Sequence, residues 1–119
     1  MRHRNKKHLK LKKRDTGHRK AIYRNLLTGL FQHTSIVTTE KRALAITPDA
    51  HRLIEVANSD VAEHNKIRTI MSELFTTEAS VSLMSLAKAY KDRKGGYTRI
   101  TAIKYRDGDA AKLVKLELV

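Results

Sequence analysis

Apolar side chains recur along this chain at two spacings, one helical and one extended. From Ala21 onward, Ile22, Leu26, Leu27, Leu30 and Phe31 form a stripe at steps of three and four, the signature of an amphipathic helix. Asp15 and Thr16 precede it with N-capping oxygens. Ser35-Ile36-Val37-Thr38-Thr39 is short and β-branched and reads as a strand. Thr39 then offers a hydroxyl cap and Glu40 a first-turn acid for a second helix, whose stripe is Ala43, Ile46, Ala50, Leu53, Ile54 and Ala57. Pro48 lies inside that stripe and is expected to kink or interrupt the helix near Ile46 or Thr47.

Asn58-Ser59-Asp60 marks a break, with Asp60 and Glu63 at capping-box spacing. Ile67, Ile70, Met71, Leu74 and Phe75 make the third stripe. Thr76-Thr77-Glu78 repeats the cap signal, Leu83, Met84, Ala87 and Tyr90 make the fourth stripe, and Gly95-Gly96 is expected to stop that helix. Tyr97 to Tyr105 mixes aromatic, β-branched and basic residues as a strand does, and its two tyrosines share strand parity. A turn signal follows at Asp107-Gly108, and Val114, Leu116 and Leu118 then alternate with Lys115 and Glu117 as in a half-buried strand. The order predicts an α+β fold of helix, strand, three helices and β-hairpin, with the helices packed on a small mixed sheet in two layers. Residues 16–119 form one globular domain in this reading, and residues 1–15 stand outside it as an arm.

Charge changes the picture at the N-terminus. Met1 to Arg24 holds eleven Lys and Arg against a single acid, Asp15, for a formal +10 of the chain's +13. Like charge at this density repels itself, so the free arm is expected to be disordered and to order only on a polyanion. Nucleic acid is the expected partner, through Arg2, His3, Arg4, Lys6, Lys7, His8, Lys10, Lys12, Lys13, Arg14, His18, Arg19, Lys20 and Arg24. Lys presents a mobile point charge to phosphate, and Arg a planar fork that also stacks on bases. A second basic cluster runs from Lys91 to Arg99, where Gly95 and Gly96 would let backbone amides approach a phosphate.

Other chemistries find little support. The chain has no cysteine, which removes disulfides, thiolate metal sites and thiol nucleophiles. The six histidines are scattered, three of them within the basic stretch of residues 1–24, with no carboxylate constellation, so neither catalysis nor a metal is expected. No cofactor or small-molecule substrate is implied. No apolar run approaches the roughly 20 residues of a membrane span, and no h-region follows the basic start, so no membrane partner or secretory signal is expected. A transit peptide would be Ser-rich, and residues 1–24 contain no serine. Aromatics are too sparse for a base-stacking platform, which favours reading of backbone and shape. A DNA-compacting protein would explain the charge equally well, and an RNA-processing enzyme would need a converging acid–base pair that is not evident.

Ordered matches narrow the choice. Met1-Arg2-His3-Arg4, His18-Arg19-Lys20-Ala21, Arg24-Asn25-Leu26 with Thr28, Ile36-Val37-Thr38-Thr39-Glu40-Lys41, Gly95-Gly96-Tyr97-Thr98-Arg99-Ile100, Gly108-Asp109-Ala110-Ala111 and Glu117-Leu118-Val119 follow one another at compatible spacing. In these segments the chain resembles the bacterial large-subunit ribosomal protein seventeen family. The resemblance implies a structural, non-catalytic rRNA-binding protein at the solvent side of the large subunit, near the peptide exit tunnel, that supports rRNA folding and subunit assembly. It adds Asn25, Thr38, Thr39, Lys41 and the stretch Arg93, Lys94, Gly95, Gly96, Tyr97, Thr98 and Arg99 to the rRNA-binding set. Its implied partners are large-subunit rRNA and neighbouring large-subunit proteins, not a second copy of itself, on a cytoplasmic or alternatively organellar ribosome. Two segments depart from the family. The family's Lys-Leu-Gly-Arg in the arm is here Lys10-Leu11-Lys12-Lys13, and its Arg-Arg-Gly-Asp turn is Arg106-Asp107-Gly108-Asp109. Asp107 would repel phosphate, which takes that turn out of the binding set.

Overall fold

A computed structural model describes residues 16–119, which form four helices and three strands. In chain order these are α1 (Thr16–His33), β1 (Ser35–Thr39), α2 (Glu40–Ala57), α3 (Glu63–Glu73), α4 (Thr77–Ala89), β2 (Thr98–Tyr105) and β3 (Lys112–Leu118). The helix–strand–three-helix–hairpin order expected from periodicity is the observed one. The arm, residues 1–15, lies outside the described residues.

The sheet has the order β1-β3-β2, and both pairings are antiparallel. The expected mixed sheet is therefore corrected to a purely antiparallel one. β2 runs parallel to β1, and a mixed sheet would have followed had those two paired. β3 takes the middle place instead, because its inward residues Val114 and Leu116 are the fully buried ones of the sheet. Across the ladder Ile36 and Ile100 both sit opposite Leu116 and complete that inner face. Leu27, Leu30 and Phe31 of α1 and Ile46, Leu53 and Ile54 of α2 belong to the two helices that pack on it, and Ile70 of α3 and Leu83 of α4 join the same core from the far side of those helices, all essentially without solvent contact.

Four local expectations are revised. Pro48 does not interrupt α2, which is continuous from Glu40 to Ala57. Ala43, Ile46, Ala50 and Leu53 are buried on both sides of it, so tertiary packing outweighs the lost backbone bond. The Thr47 hydroxyl nearby donates to the Ala43 carbonyl at 2.7 Å. Asp60 caps nothing: α3 starts at Glu63 after Ala62, without a side-chain cap bond. The glycine pair does not end α4, which stops at Ala89, where Tyr90 leaves the helix to pack on Tyr97 with ring centroids 5.4 Å apart. The hairpin turn is wider than a two-residue Asp-Gly loop. The Arg106 amide donates to the Ala111 carbonyl, and Gly108 and Ala110 both take positive φ inside the six-residue connection.

Candidate nucleic-acid interface

The expected RNA-facing residues of the body lie on three separate elements. On α1, His18, Lys20 and Asn25 are exposed, while Arg19 is half-buried and donates to the Thr16 hydroxyl at 3.4 Å. Arg24 is turned inward. Its guanidinium lies 4.1 Å from the centroid of the Phe75 ring and donates to the Leu74 carbonyl at 3.3 Å. It thereby ties α1 to the α3–α4 junction, where the Thr28 hydroxyl also accepts the Phe75 amide at 2.9 Å. On β1, Thr38 points to the core side opposite Val114, and Thr39 occupies the N-cap position of α2 without a side-chain cap bond. Lys41 is exposed in the first turn of α2.

The Arg93–Arg99 segment divides into a scaffold and a presented surface. Tyr97 is only 3% exposed, donates its hydroxyl to the Arg93 carbonyl at 3.0 Å, and meets the His51 ring edge-on. His51 Nε2 in turn hydrogen-bonds with the Thr98 hydroxyl at 3.0 Å. Arg93 sits over the Tyr90 ring and donates from one nitrogen to the carbonyl oxygens of Gly96 and Val119, at 3.3 and 2.7 Å. These contacts staple the loop to α2 and to β3. Left facing solvent are Lys94, Gly95, Gly96 and Arg99, the last loosely paired with Glu117 at 3.7 Å. Only Gly96 needs to be glycine for its backbone, at φ +67; a Cβ at either glycine would meet open space.

Six of the eleven acids of the body are engaged by its own cations. Arg52 contacts both Asp49 and Glu73, Lys66 contacts Glu63, Lys112 contacts Glu40 at 2.8 Å, and Glu117 draws Arg99 and Lys115. In the hairpin turn Arg106 grips Asp109, and that hydrogen bond, with one from the Ala111 amide, pulls the Asp109 carboxyl down to about 2. Burial pushes the Asp49 carboxyl up, against the opposing pull of Arg52. Asp107, the other acid of the turn, is exposed and in no ion pair. Among the described residues, Lys20, Lys41, Arg68, Lys88, Lys91, Arg93, Lys94 and Lys104 are exposed cations with no acid in contact. Lys88 was not singled out by the sequence reading, although the spacing Lys88, Lys91, Lys94 at steps of three was visible there. No group of His, Asp and Glu able to hold a metal occurs among the described residues.

Comparison with known proteins settles the class. A family model described as ribosomal protein L17 matches residues 22–119, from the first helix to the end of the sheet. The chain belongs to the ribosomal protein L17 family. A relative from Chloroflexus aurantiacus is 41% identical over 111 residues, covering 92% of this chain and 94% of the relative. One from Desulforudis audaxviator is 42% identical over 104 residues, covering 86% and 90%. A third, from Dictyoglomus thermophilum, is 40% identical across the full length of both chains. All three are named large ribosomal subunit protein bL17. Ribosomal protein L17 is a structural component of the ribosome and not an enzyme. Membership thus accounts for a fold that carries cations and no catalytic constellation among its described residues. No helix of the described residues is long and apolar enough to cross a membrane.

Proposed function

We propose that this chain is a structural constituent of the large ribosomal subunit, working in the cytoplasm, that binds rRNA mainly through its N-terminal arm and first helix. The observation that carries the reading is the family match over residues 22–119, joined to relatives of about 40% identity over nearly the whole chain. Charge supplies the division of labour. Residues 1–15 hold eight Lys and Arg against Asp15 alone, whereas residues 16–119 hold seventeen against eleven acids, six of which are in ion pairs within the body. The arm would neutralise phosphates that otherwise repel one another and so help the RNA compact. Ordering its backbone costs roughly 1–2 kcal/mol per residue, so many contacts must form together.

On the body, Lys94, the Gly95 and Gly96 backbone and Arg99 are the presented parts of the Gly-Gly-Tyr-Thr-Arg segment, and Arg93 and Tyr97 hold them in place. His18, Lys20, Asn25 and Lys41 are the remaining solvent-facing candidates, and Arg19, Arg24, Thr38, Thr39 and Thr98 act from behind. The body would rest on the subunit surface near the peptide exit tunnel, beside other large-subunit proteins. Deleting Met1 to Arg14 is the direct test. The truncated protein should be nearly absent from large subunits on sucrose gradients, and the salt dependence of its binding to rRNA should flatten. For the intact chain, eight phosphate contacts give a log–log salt slope of about −6 to −7. Wild-type incorporation of the truncated chain would overturn the role given to the arm.

A further inference from the structure

The third helical stripe is only half covered. Ile70 and Leu74 are buried, but Ile67 is 44% and Met71 48% exposed, and Val81 on α4 is 61% exposed. These three, with Met84, wall a groove of about 330 Å³ between α3 and α4. Contiguous exposed apolar surface of this kind marks an interaction site rather than ordinary scatter. Lys88 closes one end of the groove, and a second groove of about 310 Å³ continues from Met84 and Lys88 to Lys91 and Asn58. Lys88 and Lys91 contact no acid among the described residues. Asp60 and Glu63 also line the second groove, and Glu63 already faces Lys66 at 3.7 Å.

We propose that this groove seats an apolar segment of a neighbouring large-subunit protein, with a carboxylate of that segment at the Lys88–Lys91 end. The inference rests on the ribosomal reading above. Charge and surface chemistry select the occupant. RNA is a poor fit, because the floor is aliphatic and thioether carbon, with Lys88 the one cation of its lining where a phosphate backbone needs several, and with no aromatic on which a base could stack. A second copy would bring one +13 chain against another. The chain's own residues 1–15 would set their cations against Lys88 and Lys91. An apolar segment ending in an acid meets both features, the carbon floor and the unpaired ammonium groups at its Lys88 end.

The test uses the full-length chain with a photoreactive benzophenone side chain placed separately at Val81 and at Ser85, both exposed, so neither substitution enters the core. Large subunits isolated from cells expressing each variant are irradiated. The expected result is a crosslink to one other protein of the subunit. Adding Lys88→Glu should lower its yield by about ten-fold, the order of losing one interfacial charge pair, while Lys88→Arg preserves it. Crosslinks to rRNA alone, to a second copy, or to nothing on subunits that carry the chain would overturn the inference. Absence of the wild-type chain from large subunits would instead overturn the ribosomal reading on which it stands.

Discussion

Arg24 illustrates what charge alone misses. In sequence it continues the arm's run of cations, but in the folded chain it stacks on Phe75 and donates to the Leu74 carbonyl. A cation–π contact and a charge-assisted hydrogen bond together make it a packing residue. Arg24→Ala should therefore lower unfolding free energy by about 1–2 kcal/mol in urea titrations. Lys20→Ala, one turn earlier and exposed, should stay within about 0.5 kcal/mol of wild type and weaken rRNA binding instead. The same distinction separates Tyr97 from Lys94. Tyr97, which the family resemblance adds to the rRNA-binding set, is buried, and nothing in its neighbours' sequence announces that His51 and Tyr90 come from elsewhere to enclose it.

Helices and strands were legible as elements because their periods are local properties, but their ends were not. Thr76 and Thr39 precede helices with the same chemistry, yet only Thr76 accepts a capping hydrogen bond, from the Ala79 amide at 3.2 Å. Thr76→Ala should accordingly cost about 1 kcal/mol. Thr39→Ala should cost clearly less, and equal losses in parallel thermal melts would show that the Thr39 hydroxyl matters in some other way. The strand parity of Tyr97 and Tyr105 fails for a similar reason. β2 begins only at Thr98, so Tyr97 lies before the strand, buried against His51 and Tyr90, and a bulge between Ala102 and Lys104 separates it from Tyr105, which is 66% exposed. On α3 the apolar period was read correctly, but a period says which face is apolar and not whether anything covers it.

For the whole molecule, the buried apolar residues run from Leu27 to Leu116, and none precedes α1's second half among the described residues. Removal of Met1 to Arg14 takes away charge and no known core, so the truncated chain should melt within a few degrees of the full one. Calorimetry of the two proteins checks this; a loss of ten degrees or more, equivalent to about 2 kcal/mol for a body this size, would mean that the arm packs on the body. The pairing of β3 between β1 and β2 is the other feature of this scale. It joins the two ends of the described chain in one sheet, which makes the hairpin and α1 parts of the same cooperative core.

Local order and overall character were already settled by the amino-acid sequence. Four apolar stripes, two β-branched stretches and an alternating C-terminal segment fix the element order, because each is set by neighbours three or four residues apart at most. The concentration of charge at one end was equally legible, because the number of cations and acids in a stretch of chain is a property of its composition and not of its packing. Tertiary structure alone decided which strand is central, which cations are drawn into the body, and which part of an apolar stripe stays bare. Those depend on distances between residues far apart in the chain: 50 positions separate Arg24 from Leu74, and 47 separate His51 from Thr98. The surface left between α3 and α4 is of that kind, visible only once the core has taken what it needs.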